Sequence, residues 1–196
     1  MFERDRNFHR QVAIDFRLPI QSAQDTDLTR FEETTIEAVV ELQYEIGGKQ
    51  EVYTSPPITM TIASDLALEV RDAVEETDDG KERHLMKWVL TNSFHDLERV
   101  EVSTDIYGPV AVDADAAVVS AGEIQFDEKT KRLVWRMETL PRTLDVVALE
   151  IPIILNEKNP TQTNVTSQIE LRAFDPVSGV EILRVGDGIQ LVHEEN

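Results

Sequence analysis

The chain has 196 residues, of which 41% are hydrophobic, and this is enough apolar material to build a packed core. Its 38 Asp and Glu residues against 19 Lys and Arg residues give a formal net charge of -19. Nucleic acids and anionic membrane surfaces require a basic footprint, so this balance argues against both as partners. The lack of cysteine excludes a disulfide framework, a thiolate zinc site and a cysteine nucleophile.

The clearest periodic segment covers residues 35–46. Its apolar residues alternate with polar ones and fall on one face: Ile36, Ala38, Val40, Leu42, Tyr44 and Ile46. Glutamates and a glutamine occupy the other face. A period of two predicts a half-buried β-strand that ends at the Gly47-Gly48 turn.

The segment that follows residue 64 fits two patterns. Leu66, Val70, Ala73 and Val74 would lie along one face of a helix capped by Ser64. Leu66, Leu68, Val70 and Val74 also follow a period of two. We predict a strand here.

The rest of the chain shows short alternating segments separated by turn residues. The alternating residues are Met86, Trp88 and Leu90; Val100, Val102, Thr104 and Ile106; Ile124 and Phe126; Leu133, Trp135 and Met137; and Ile169, Leu171 and Ala173. Turn-forming residues lie at 78–80, 107–109, 127–129 and 175–179. Strands at this spacing predict an all-β, immunoglobulin-like antiparallel β-sandwich.

An internal repeat of about 130 residues links the two ends of the chain. Four segments recur in the same order: residues 12–16 match 147–151, 40–43 match 169–172, 51–53 match 181–183, and 58–60 match 189–191. The alternative is chance likeness between alternating strands. Agreement in order and spacing favours a true repeat.

The repeat predicts two domains. Residues 1–63 would be the C-terminal half of one Ig-like unit, and residues 64–196 would be a complete unit of the same repeat. A half-unit has unpaired strand edges and an uncovered apolar face. Three resolutions are open: a fragment of a longer array, one composite sandwich, or strands donated by a neighbouring subunit.

The second unit resembles the conserved-repeat Ig-like domains of bacterial surface proteins, of the DUF11 type, which also occur in candidate-phyla bacteria. The matching segments are 88–92, 96–97, 100–102, 122–127, 133–135 and 140–141. The chain departs from that pattern at residues 105–108, where members of the family commonly have Leu-Pro. These motifs mark core and turn positions, so the resemblance implies a fold and an exported array but no catalytic or binding residue.

No catalytic constellation is recognisable in the sequence. The four histidines, His9, His84, His95 and His193, lack zinc-site spacing, and we expect them at surface or edge positions. No GxSxG nucleophile motif occurs. The chain is therefore predicted not to be an enzyme.

Calcium is the sharpest chemical hypothesis that the sequence allows. Hard cations prefer several carboxylate oxygens, and acidic turns can supply them. The candidates are Asp113 with Asp115, and Asp78 with Asp79. Neither pair matches an EF-hand, and no other cofactor is indicated.

The leading interpretation is a non-enzymatic structural or adhesive module of a bacterial cell-surface protein. Its expected partners are copies of itself or neighbouring Ig-like domains, joined by strand addition among other contacts. The longest apolar runs are too short to span a membrane, so a signal or anchor would lie outside this sequence. The alternative is a module that binds calcium or carbohydrate. Trp88 and Trp135 are predicted core residues, although carbohydrate stacking is their functional alternative.

Overall fold

The computed structural model describes residues 35–157 and 162–191, and this part of the chain is built from β-strands. The strands are β1 (Thr35–Ala38), β2 (Glu41–Ile46), β3 (Lys49–Thr54), β4 (Ile58–Thr61), β5 (Ala67–Glu76), β6 (Glu82–Thr91), β7 (Leu97–Asp105), β8 (Val110–Val112), β9 (Val118–Val119), β10 (Glu123–Asp127), β11 (Arg132–Leu140), β12 (Val146–Leu155), β13 (Ile169–Asp175) and β14 (Val180–Gly186). No helix in the described residues is long and apolar enough to cross a membrane. Residues 1–34, which hold the first matched repeat segment and His9, and residues 192–196, which hold His193, lie outside the described range.

The first four strands form a two-stranded ribbon, which we define as residues 35–61. β2 pairs antiparallel with β3 across the Gly47-Gly48 turn, and β1 pairs antiparallel with β4. Both turn glycines have positive φ, as a two-residue hairpin requires. The predicted single strand over residues 35–46 is therefore two strands with a break at Val39 and Val40. The break lies across from Ser55, Pro56 and Pro57, and proline has no N–H with which to continue the ladder.

Residues 64–191 form a sandwich of two antiparallel sheets. One sheet has the order β5-β6-β12-β8, with β9 also pairing with β12, and the other has the order β10-β11-β7-β13-β14. The first order matches strands A-B-E-D of an immunoglobulin fold, and β7-β13-β14 matches C-F-G. The hairpin of β10 and β11 extends the second sheet beyond β7. The predicted all-β, Ig-like sandwich is confirmed, and the ambiguous segment after residue 64 is the strand β5.

The core of the sandwich lies between its two sheets, where the alternating residues point inward. Trp88, Trp135, Leu149 and Leu171 are completely buried. The prediction that both tryptophans are core residues is confirmed, and neither ring is available for stacking on a sugar. Gly122, within one of the family-like segments, has a φ of +80°, and a Cβ there would lie 2.3 Å from the backbone oxygen of Arg136.

The two buried tryptophans differ in hydrogen bonding. Trp135 Nε1 donates to the Ala121 carbonyl oxygen at 2.8 Å, whereas Trp88 Nε1 has no partner among the described residues. We expect Trp135→Phe to cost about 1 kcal/mol more unfolding free energy than Trp88→Phe, because only the first change breaks a hydrogen bond and leaves a carbonyl unpaired. Urea denaturation of both variants, each with one tryptophan left as the probe, checks this. Equal costs would contradict it.

Candidate assembly surface

The ribbon presents a row of apolar side chains to solvent. On β2, Leu42, Tyr44 and Ile46 share one face and are 47%, 40% and 65% exposed. Tyr53 of β3 lies opposite Leu42 in the register and is 55% exposed. We call these four residues the apolar face of the ribbon. Contiguous exposed apolar groups of this kind mark contact surfaces.

The opposite face of the same hairpin is acidic. It carries Glu41, Gln43 and Glu45 of β2, and the residues across from the two glutamates are Thr54 and Gln50. The Glu41 carboxylate accepts a hydrogen bond from the Gln43 amide at 3.0 Å. No lysine or arginine lies on this face of the hairpin, so the two carboxylates are without a cationic neighbour there.

The ribbon repeats the pairing order found at the end of the sandwich. The hairpin of β2 and β3 is flanked by the pairing of β1 with β4. The hairpin of β13 and β14 is flanked in the same way by an antiparallel bridge between Asn164 and Gln190. The first strand of a flanked hairpin thus contains the matching repeat segment in both places, 40–43 at the start of β2 and 169–172 at the start of β13.

A side-chain hydroxyl closes the junction between hairpin and flanking pair in both places. In the ribbon, the Val40 backbone N–H donates to Ser55 Oγ at 2.9 Å. In the sandwich, the Ile189 backbone N–H donates to Thr166 Oγ1 at 2.8 Å. In each case the hydroxyl accepts a hydrogen bond from a backbone N–H of the opposite segment. This bond connects the hairpin to its flanking pair at the point where the backbone ladder is interrupted.

The two hairpins differ in what covers them. Leu171, Ala173 and Ile182 of the sandwich hairpin are 0%, 3% and 4% exposed, because the sheet containing β5, β6 and β12 packs over them. Leu42, which matches Leu171 in the repeat, is about half exposed. The ribbon therefore shows the face that a sandwich normally buries.

A buried polar network anchors the start of the sandwich. Asp175, at the end of β13, accepts from the Ser64 backbone N–H at 2.9 Å, and one of its oxygens lies 2.8 Å from His95 Nδ1. Ser64 Oγ donates to Asn92 Oδ1 at 2.6 Å and accepts from the His95 backbone N–H at 3.1 Å. Burial alone raises the pKa of Asp175, but hydrogen bonds from His95, Ser178 and Ser64 outweigh it and hold that pKa below its usual value.

Ser64, His95 and Asp175 are not arranged as a hydrolytic triad. The serine hydroxyl bonds to Asn92, and His95 Nε2 has no hydrogen-bond partner among the described residues. A nucleophilic serine needs its hydroxyl on the imidazole that will take the proton. The network therefore fixes the loop geometry at the first strand of the sandwich.

The second buried histidine lies between two carboxylates. His84 Nδ1 is 2.7 Å from Asp72 Oδ2, and Nε2 is 2.9 Å from Glu82 Oε1, although the latter contact lacks hydrogen-bond geometry. Burial by itself lowers the pKa of His84, but Asp72 and Glu82 together raise it above its usual value.

The expectation that the histidines lie at surface or edge positions is wrong for His84 and His95, which are 1% and 5% exposed. In each case a carboxylate bonds to Nδ1 of the buried ring, and these carboxylates lie 12 and 80 residues away in the chain. Local spacing contains no signal for partners at such separations.

The calcium candidates lie in two turns. Asp78 and Asp79 belong to the turn between β5 and β6, where Asp79 bonds to Lys81 Nζ and Thr77 Oγ1 and its pKa is lowered to about 2. Asp113 follows β8 and accepts from the Ala116 backbone N–H, with Asp115 beside it. Within the described ranges, no group of three or more His, Asp or Glu side chains is arranged to hold a metal ion. Calcium binding at these pairs stays a prediction.

One open polar cleft, about 960 Å³ in volume, lies at the end of the sandwich where β7 and β14 end. Its lining includes Asp105, Tyr107, Glu170, Asp187 and Gln190. Asp105 is engaged by Arg132 at 3.2 Å, so part of the negative charge is already paired. The cleft brings hydroxyl, amide and carboxylate groups together, as a polar ligand requires.

Comparison with known proteins gives no family. No family model matches the chain, and no curated protein matches it. Among solved structures, the three N-terminal domains of the type V pili tip protein Mfa5 from Porphyromonas gingivalis are 15% identical, with a TM-score of 0.39, over 52% of this chain and 23% of that one. A variant of BcpA, the major pilin subunit of Bacillus cereus, is 9% identical, with a TM-score of 0.44, over 75% of this chain and 50% of that one. The RrgA Jo.In complex is 10% identical, with a TM-score of 0.43, over 79% of this chain and 92% of that one. The chain spans half or less of the length of the first two.

Proposed function

We propose that this chain is a non-enzymatic structural or adhesive β-module of a bacterial cell-surface protein, related to the DUF11-type repeat domains. It works by contact with other β-domains, either copies of itself or neighbouring Ig-like units. The observation that carries the proposal is the apolar face of the ribbon, in which Leu42, Tyr44, Ile46 and Tyr53 are all at least 40% exposed. Adjacent exposed apolar side chains of this kind indicate a surface that is covered by another protein.

The charge of the molecule fits this role. A formal net charge of -19 keeps the module soluble and disfavours non-specific association. Contact is then restricted to a surface where apolar burial outweighs the repulsion. On β2 the apolar side chains and the two glutamates lie on opposite faces, and on β3 the one carboxylate that shares the apolar face, Glu51, is two residues from Lys49 on that same face.

We expect sedimentation velocity to show self-association that increases with protein concentration at physiological salt. The variant Leu42→Lys with Ile46→Lys should abolish it, because each charge would have to be buried in the contact. The matched control is Leu183→Lys with Val185→Lys, which places the same two charges at apolar residues of β14 that are each 54% exposed. That control should associate like the unchanged chain.

Two results would contradict the proposal. One is a chain that stays monomeric at every concentration and does not bind an apolar dye such as ANS. The other is equal loss of association in both lysine variants, which would indicate a general charge effect and not a specific face.

A further inference from the structure

The outer edge of β2 has no partner strand among the described residues. Among the described residues β2 pairs with β3 alone, so its other edge presents free backbone N–H and C=O groups. The matching strand of the sandwich, β13, has both edges paired, with β14 on one side and β7 on the other. The repeat thus identifies the edge of β2 that corresponds to the β7 side of β13.

We propose that this edge receives an antiparallel β-strand from a partner polypeptide, in the register that β7 takes on β13. The proposal rests on the function proposed above and adds a second contact to it, at the strand edge beside the apolar face of the ribbon. In the sandwich, Leu171 pairs with Val102 of β7, and Arg172 pairs with Glu101. The incoming strand accordingly has an apolar residue beside Leu42.

The charges of the ribbon define the other side of the incoming strand. Arg172 of β13 is paired in register with Glu101 of β7, so residues of opposite charge occupy neighbouring positions in the sandwich. Each is also bonded within this sheet, Arg172 to Glu170 and Glu101 to Arg136. On β2 the outward positions are Glu41, Gln43 and Glu45, with no cation beside them on the hairpin. Cross-strand pairs of opposite charge stabilise a sheet and like pairs destabilise it. The partner strand therefore alternates apolar with basic side chains.

No strand of the described sandwich, in this chain or in a second copy, is free to fill this position. The strands β5 to β14 are already committed to the two sheets of the sandwich. The alternating residues 12–16, outside the described range, match β12, which belongs to the sheet opposite β13. In their sequence Asp15 alternates with Ile14 and Phe16, which would add a carboxylate to the acidic side. A strand from a different, more basic polypeptide satisfies both faces.

The probe that tests this is the capped peptide Lys-Val-Lys-Val-Lys-Val-Lys, added to the full chain and followed by NMR and amide exchange. We expect slowed exchange and shifted resonances confined to β2. The peptide Lys-Lys-Lys-Lys-Val-Val-Val has the same composition without alternation and should leave these amides unchanged. High salt should weaken binding of the alternating peptide without moving it to another strand.

Charge reversal on β2 gives the matched variants. Glu41→Lys with Glu45→Lys should weaken the alternating peptide about tenfold or more, since two favourable pairs become repulsive. Glu123→Lys with Glu128→Lys changes two exposed carboxylates at the β10 end of the other sheet and should leave binding unchanged. Retained resonances of Tyr44 and Tyr53 show that the hairpin is intact in each variant.

Four results would overturn the proposal: equal binding of both peptides, no slowing of exchange at β2, slowing at β10 or β14 instead, or β2 amides already protected in the free chain by its own first 34 residues. If any one of them occurs while Leu42→Lys with Ile46→Lys still abolishes self-association, the strand-addition inference fails and the proposed function stands.

Discussion

Replacing Asp175 with alanine is expected to lower the free energy of unfolding of the sandwich by about 3–5 kcal/mol. The carboxylate is fully buried and is contacted by Ser64 N, His95 Nδ1, Val177 N and Ser178 N at 2.8 to 3.2 Å. Alanine would leave all four groups without this acceptor, and the contacts of Ser64 N and His95 Nδ1 are in the buried part of the site. Urea denaturation followed by tryptophan fluorescence measures the loss, since both tryptophans lie in the sandwich.

The matched control is Asp127→Ala. Asp127 also accepts two backbone N–H groups in a turn, from Lys129 and Thr130, but it is exposed, so water can replace the lost acceptor. Its cost should therefore be well below that of Asp175→Ala. Similar costs for the two variants would show that the Ser64–His95–Asp175 network does not anchor the sandwich.

The same residue gives a pH dependence. Because the folded-state pKa of Asp175 lies below its unfolded value, its contribution is complete above the unfolded value and is lost as pH falls through the folded one. Asp175→Asn should therefore flatten the acid side of the stability curve relative to the unchanged chain, below about pH 4.

His84 acts in the other direction, since its raised pKa makes its contribution to stability largest at low pH, and that contribution is lost as pH rises through the folded-state pKa.

The sequence was sufficient for the strands and much of the core, because a period of two is a local property of each strand. Trp88, Trp135 and Leu171 could all be assigned to the interior in this way. Local patterns failed where the cause lies on another strand. The break at Val39 and Val40 is set by Pro56 and Pro57 on the partner strand, which a single-strand pattern does not contain.

The polar network around Asp175 could not be predicted from the sequence for the same reason. Asp175 and Ser64 are 111 residues apart, and nothing in the local sequence of either points to the other. The turn at residues 175–179 was predicted from its Asp-Pro and Gly, but its second role, as acceptor for His95, depends on the fold. The candidate assembly surface was partly predictable, because the repeat already implied a hairpin with no covering sheet.

The repeat relates the ribbon to a hairpin that forms part of the sandwich. A hairpin with a flanking pair is part of a sandwich in residues 162–191, whereas no other described strand joins the corresponding hairpin in residues 35–61. An isolated two-stranded ribbon is at best marginally stable in water. The ribbon and whatever covers it should therefore be thermodynamically coupled, with the stability of the hairpin rising when a partner binds.

Matched truncations at the two hairpins should have very different costs. Leu171→Ala is expected to lower the free energy of unfolding by about 2–5 kcal/mol, because a fully buried leucine leaves a cavity in a packed core. Leu42→Ala, at the matching position of the ribbon, should cost only about 0.5 kcal/mol in the free chain, because Leu42 is 47% exposed there. Amide exchange of β13 and β2 reports each hairpin separately.

The difference in cost between Leu171→Ala and Leu42→Ala should become smaller when another protein or peptide covers the ribbon. With the self-associated chain or the alternating peptide bound, Leu42 becomes part of a buried contact, and Leu42→Ala should then weaken association by about tenfold, in keeping with the loss of a buried aliphatic side chain. Leu171→Ala, measured at a temperature where the sandwich is still folded, should leave the contact unchanged. A Leu42→Ala cost above 2 kcal/mol in the free monomer would mean that the chain already buries this face, and the assembly surface would have to be sought elsewhere.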